Sequence, residues 1–131
     1  MLSSTSYGFY DKMSIIMDKS KFAKWLNEAM KEKGILTQTE LGLRAGISKQ
    51  SVSNIINGQS DPLVETLEGI ARGLKVPPEK VFREAGALTP ISPDDEKLEE
   101  ITYIFNRLTD TGKESALRFF KFLLNDPEMS K

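Results

Sequence analysis

Four polar side chains near the start of one short predicted helix have the types and spacing for binding chemistry. They are Lys49, Gln50, Ser53 and Asn54. Lys49 and Gln50 are the first two residues of the helix, and Asn54 follows one turn later with Ser53 beside it. A side-chain amide can bond the N6/N7 edge of adenine, and an ammonium suits O6 and N7 of guanine. These residues therefore predict contacts with base edges in the major groove of DNA.

A second predicted helix would position the first. Residues 38–58 have the pattern of two short helices joined by a tight turn at Gly46. Thr37 and Glu40 form a capping box, in which Thr37 accepts from the third helical amide and Glu40 reaches back to the Thr37 amide. Ser48 is placed to cap the second helix. This arrangement is a helix-turn-helix, and the second helix of such a pair commonly enters the major groove.

Other residues of the pair are expected to hold the DNA backbone or the core. Gln38 lies in the first turn of its helix, where exposed amides can bind phosphate. Ser51 and Asn57 could do the same on the far side, whereas Val52 and Ile55 should face inward. Polar residues are also common at helix starts, so the same side chains could be only the caps and surface of an all-α domain.

Three more helices around this pair would close one small core. The first runs from Ser20 to about Lys33 and ends at Gly34, which is expected to be left-handed. Its apolar residues recur at helical spacing and should be buried: Phe22, Trp25 or Leu26, Ala29 and Met30. The fourth is expected to begin at Asp61-Pro62, with proline in the first helical position, and to bury Leu63, Leu67, Ile70, Ala71 and Leu74. The fifth runs from Pro78 to about Ala85 and buries Val81 and Phe82.

The C-terminal part is predicted to be a helical hairpin. Its first helix starts near Pro93, and its second follows a turn at residues 109–112. Such a hairpin cannot bury its own apolar side chains, so it either folds back on the domain before it or pairs with a second copy. We favour a homodimer, formed through Leu98, Ile101, Phe105, Leu117, Phe120 and Leu124. The predicted organisation is a flexible arm at 1–18, a DNA-binding domain at 19–88, and a linker with the hairpin at 89–131.

Composition limits the kinds of function. The 131 residues include no cysteine and no histidine, which excludes disulfides, thiol catalysis and imidazole mechanisms. No carboxylate spacing singles out a metal site, so we expect no cofactor, no metal and no enzymatic activity. The net charge is −1, but residues 19–60 hold seven bases and three acids, whereas residues 91–131 hold six bases and nine acids. With no signal peptide or membrane-spanning segment in the sequence, a cytoplasmic protein is expected.

Residues 20–86 resemble the lambda-repressor-like (Cro/Xre-type) helix-turn-helix family. The matching pattern, beginning at Thr37, is Thr-Gln-x-Glu-Leu-x-x-x-Ala-Gly-Ile-Ser-x-x-x-Val-Ser-x-x-x-Asn-Gly. The resemblance implies a five-helix DNA-binding domain, with the two-helix extension added. It places Gln38, Lys49, Gln50 and Asn54 at the family's phosphate- and base-contacting positions, and Asn57 at a backbone-contacting one.

Three residues depart from the family pattern. Gly42 and Gly73 stand where alanine is usual, and each costs its helix about 1 kcal/mol of propensity while allowing close packing. Ile56 stands where a polar residue is common. We expect Ile56 to be either an exposed contact or a side chain packed on the extra helices.

The sequence is compatible with three functions. The leading one is a dimeric repressor that binds a palindromic operator on double-stranded DNA. The alternative is an antitoxin-type regulator whose C-terminal helices bind a partner protein. From a different class, the chain could be a protein-interaction module that has kept the fold without binding DNA.

Overall fold

The computed structural model describes residues 18–131, which are all-helical, as the sequence predicts. The predicted arm lies outside the described residues except for Asp18, whose carboxylate caps the first helix by accepting from the Lys21 amide at 3.0 Å. The seven described helices are α1 (Lys19–Glu32), α2 (Gln38–Ala45), α3 (Lys49–Ile56), α4 (Val64–Leu74), α5 (Pro78–Glu84), α6 (Pro93–Phe105) and α7 (Asp110–Leu124). None of them is long and apolar enough to cross a membrane.

The chain divides into two compact units, the first ending at Ser92 and the second comprising Pro93–Lys131. Each of the helices α1 to α5 buries one apolar stripe in the core of the first unit. The stripe predicted for α1 is confirmed for its aliphatic and Phe22 positions, and Trp25 packs half-buried at its edge. The largest side chains with almost no exposure are Phe22, Phe82, Leu26, Ile35, Leu41, Leu67, Ile70 and Leu74.

The predicted helix ends at the turn are confirmed, with one correction. Thr37 Oγ1 accepts from the Glu40 amide at 3.0 Å, and Gly46 has a φ of 73°. Glu40 does not reach back to the Thr37 amide, because its Oε1 accepts from the Leu36 amide at 3.3 Å. The other carboxylate oxygen is held by Arg44 Nη2 at 2.8 Å, which turns the carboxylate away from the expected partner.

The prediction for the start of α4 is wrong by two residues. The helix begins at Val64, with Leu63 as its N-cap in an extended conformation. Pro62 and Val64 are buried while Leu63 is 57% exposed, and this alternation is that of extended chain rather than helix. Leu63 is therefore not part of the buried stripe, and Val64 takes its place.

The second unit is the predicted helical hairpin, and its second helix starts earlier than expected. Thr109 is the N-cap of α7 and accepts from the Gly112 amide at 3.1 Å, so residues 110–112 are the first turn of the helix. Every residue of this unit is exposed or half-buried. The hairpin considered by itself thus has no buried core.

Glycine lets α4 approach α2 closely within the first unit. A Cβ atom at Gly69 would overlap the carbonyl oxygen of Ala45, and one at Gly73 would lie 3.2 Å from the Ala45 nitrogen. Both glycines of α4 are buried. Their lack of a side chain thus brings α4 against the end of α2, immediately before the turn at Gly46.

We expect Gly69→Ala to destabilise the domain by about 2 kcal/mol. Helix propensity alone would make alanine stabilising by about 1 kcal/mol, but the overlap with backbone forces α2 and α4 apart, at a cost of about 3 kcal/mol. Chemical denaturation measures the net effect. Glu65→Ala, at an exposed position of the same helix, serves as the control and should change stability by less than about 0.5 kcal/mol. A stabilised Gly69→Ala variant would contradict the close approach.

Candidate nucleic-acid interface

The turn between α2 and α3 sets the position of the candidate recognition helix. The Ile47 amide donates to the Gly42 carbonyl at 2.9 Å. A Cβ atom at Gly42 would lie 2.7 Å from the Ile47 carbonyl oxygen and 3.4 Å from the Lys49 nitrogen. Glycine at this position therefore lets the start of α3 rest directly on α2, which explains one departure from the family pattern.

Helix α3 is divided into a buried side and a solvent side. Val52 and Ile55 are buried, as predicted, and anchor the helix in the core. The four residues predicted to contact bases lie on the remaining surface. Two of them, Lys49 and Gln50, are exposed, and the other two, Ser53 and Asn54, are half-buried. Ser48 caps the helix by accepting from the Ser51 amide at 3.0 Å, so its first turn is well formed.

The structure joins two of the predicted base-contacting side chains. Gln50 Nε2 donates to Asn54 Oδ1 at 2.9 Å. This bond uses one of the two N–H donors of Gln50 and leaves its second N–H and its carbonyl oxygen open to solvent. Those two groups are the pair that an adenine edge requires. The bond to Asn54 thus holds the glutamine amide in one orientation without using its recognition groups.

The start of α3 is electropositive. Lys49 is the first residue of the helix, where the helix dipole favours an acid, and the first turn contains no acidic residue. None of the ion pairs found within residues 18–131 involves Lys49, whereas Arg44 is paired with Glu40 at 2.8 Å and Lys19 with Asp61 at 3.2 Å. The unneutralised ammonium and the exposed helical amides together suit a polyanion.

The residues predicted to contact the DNA backbone lie at the ends of the two helices. Gln38 is the first residue of α2 and is half-buried. Ser51 accepts a bond from the Ser48 hydroxyl at 3.0 Å, which leaves its own O–H available as a donor. Asn57 ends α3, and its Nδ2 donates to Ser53 Oγ at 3.3 Å.

Helix α1 contributes to the surface near the end of α3, which the sequence did not predict. A groove of about 360 Å³ there is lined by Lys19, Ser20, Ala23, Ile56, Asn57 and Gly58. Ile56 is half-buried and packs against the core of the first unit, which is neither of the two roles expected for it from the sequence. Lys19 and Ser20 lie more than thirty positions before Asn57 in the chain, so no local spacing could have indicated their proximity.

Known proteins resemble this chain over part of its length. A family model described as helix-turn-helix matches residues 26–81, which include α2, the turn and α3. The Type II methyltransferase M.Sau96I of Staphylococcus aureus is 34% identical over 83 residues, which is 60% of this chain and 19% of the methyltransferase. The chain thus spans about a fifth of the length of that relative. No solved structure gives a significant match. The match over residues 26–81 supports the resemblance of this domain to the lambda-repressor-like helix-turn-helix family.

Proposed function

We propose that the protein is a sequence-specific transcriptional regulator that binds double-stranded DNA as a homodimer, with α3 in the major groove. The observation that carries this proposal is the solvent side of α3. It combines the uncompensated Lys49 with the hydrogen-bonded pair of Gln50 and Asn54, while Val52 and Ile55 anchor the opposite side. This combination supplies electrostatic attraction to phosphates and donor–acceptor groups for base edges on one rigid element.

The homodimer is supported by the C-terminal unit. Nine large apolar side chains of this unit are between 43% and 69% exposed: Leu98, Ile101, Ile104, Leu117, Phe119, Phe120, Phe122, Leu124 and Met129. At roughly 100 Å² each, they expose about 900 Å² in total, divided over more than one side of the hairpin, and so much uncovered apolar area is unusual on a monomer. Two-fold pairing would present two copies of α3 to the two halves of a palindrome.

Repression is the simplest consequence of such binding, because a dimer seated over a promoter excludes other proteins from it. We assign the protein to the cytoplasm and to a binding role rather than a catalytic one. The absence of histidine and cysteine removes the commonest acid–base and nucleophilic groups. The similarity to M.Sau96I covers too little of that protein to assign methyl transfer here.

A second candidate is an antitoxin-type regulator, in which the hairpin also binds another protein. The rings of Phe119 and Phe122 stack at 6.4 Å between centroids while both side chains remain more than half exposed. An exposed, stacked aromatic pair of this kind suits a protein partner.

Selection from a randomised pool of double-stranded DNA tests the proposed function. The purified full-length chain is incubated with the pool at a stated salt concentration, and the retained molecules are sequenced. We expect a short palindrome whose half-sites lie one or more helical turns apart. Recovery of a single half-site would retain sequence-specific binding and overturn the dimer. Retention of no particular sequence would overturn the regulator and direct attention to a protein partner.

A further inference from the structure

Helix α7 has two apolar flanks rather than one. Leu117 and Leu124 are seven residues apart and share one flank, whereas Phe119 and Phe122 lie on another. Since residues two apart on a helix point about 160° away from each other, Leu117 and Phe119 face nearly opposite directions. All four side chains are at least 49% exposed. A second copy that covers one flank would therefore leave the other uncovered.

The leucine flank borders a groove between α6 and α7. The groove has a volume of about 130 Å³ and is lined only by apolar side chains, namely Ile101, Ile104, Phe105, Leu108, Ala116 and Phe120. An apolar cavity of about 150 Å³ accommodates a benzene ring, so this groove has the size of one inserted side chain. Leu117 and Leu124 lie three residues before and four residues after Phe120, and thus extend the same apolar surface along α7.

The spacing on this flank is that of a helix that packs against further helices. Leu117, Phe120 and Leu124 follow a 3-4 pattern, and Ile101, Phe105 and Leu108 of the preceding segment follow a 4-3 pattern. Apolar residues alternating at these intervals place knobs into holes of a facing helix. Phe122 lies outside this pattern, because it is two residues from both Phe120 and Leu124 and so points away from them; its ring stacks on that of Phe119 instead.

Charge indicates how two hairpins would be arranged. Helix α6 has five acidic residues and one basic residue, a net charge of −4, whereas α7 has two acidic and three basic residues, a net charge of +1. Placing α6 of one copy beside α6 of the other would bring two strongly negative helices together. Placing α6 beside α7 of the other copy pairs opposite net charges and is electrostatically favoured.

We propose that two copies pair through the groove flank of the hairpin, defined by Leu117, Phe120 and Leu124, with α6 of each copy against α7 of the other. Each groove then receives an apolar side chain of the second copy, and the two-fold axis makes both contacts equivalent. The Phe119–Phe122 flank stays outside this interface. The inference specifies the homodimer of the proposed function and rests on it.

Two matched charge substitutions in the full-length chain test the proposal. Leu124→Glu and Phe122→Glu introduce the same carboxylate on the same helix, at side chains that are 69% and 64% exposed. We expect Leu124→Glu to raise the dimer dissociation constant at least tenfold and Phe122→Glu to change it less than twofold, measured by sedimentation equilibrium. Leu117→Glu provides a second test of the groove flank and should behave like Leu124→Glu.

The outcomes separate this inference from the proposed function. Dissociation by Phe122→Glu but not by Leu124→Glu would overturn the inference and assign the interface to the aromatic flank. A monomeric wild-type chain, or a dimer that resists all three substitutions, would also overturn it. Binding of the same samples to the DNA recovered from the pool is measured in parallel. Selective DNA binding by a monomeric wild type would support the regulator and overturn the groove-flank dimer. The expected dissociation pattern without any DNA selectivity would support the dimer and overturn the regulator.

Discussion

Replacing both Gln50 and Asn54 with alanine should weaken binding to the selected DNA sequence by about 2–6 kcal/mol, since each lost base contact costs about 1–3 kcal/mol. Binding to unrelated DNA should change much less, because phosphate contacts and Lys49 remain. The loss should therefore appear mainly as a lower ratio of specific to non-specific affinity. Titration of the target duplex and of a scrambled duplex at the same salt concentration measures that ratio.

The two single variants add information, because the side chains are bonded to each other at 2.9 Å. Removing Asn54 frees the Gln50 amide to rotate, so each single substitution should also weaken the contact made by the other residue. The single effects are thus expected to sum to more than the effect of the double variant.

Asn27→Ala is the matched control for these substitutions, since it removes an exposed amide from α1, outside the helix-turn-helix. It should leave both affinities unchanged. Equal losses on target and scrambled duplexes for the Gln50 and Asn54 variants would contradict base recognition by this pair.

Phe120→Glu should lower affinity for the full palindrome at least about 100-fold. Phe120 lines the groove of the hairpin, and a carboxylate there would have to be desolvated when two copies pair. A dissociated chain loses the advantage of a linked second half-site, which commonly contributes a factor of about 100 to 10,000. Titration against full-site and half-site duplexes measures the loss, which should be confined to the full site.

Thermal unfolding supplies the control for Phe120→Glu. The core of the first unit lies entirely within residues 22–87, so its unfolding should be unaffected by a substitution in α7. If Phe120→Glu instead unfolds the whole chain, the hairpin belongs to the core of the domain, and the fold-back alternative replaces the dimer.

Much of the first unit could be predicted because its determinants are local. The Thr37 and Ser48 caps, the left-handed Gly46 and the inward direction of Val52 and Ile55 each depend on residues within about one helical turn. The same applies to the family resemblance, whose pattern lies mostly in one continuous segment. Local hydrogen bonding and helical periodicity were thus sufficient to predict the helix-turn-helix and the solvent side of α3.

Features that depend on contacts between distant segments were missed. The extended approach to α4 follows from burying Pro62, although Pro62 has a good propensity for a first helical turn. The closeness of α2 and α4 at Gly69, and the position of Lys19 beside Asn57, join residues more than twenty positions apart.

By itself, then, the sequence determined which segments are helices, where most of them begin and end, and which polar side chains α3 presents to solvent. Only the tertiary structure decided how closely those helices approach, as at Gly69 against Ala45, that the chain before α4 is extended, and that Lys19 lies beside Asn57. The physical reason is that capping and periodicity act within a turn of helix. Interhelical distances and contacts between distant segments instead depend on steric fits that exist only after the core has packed.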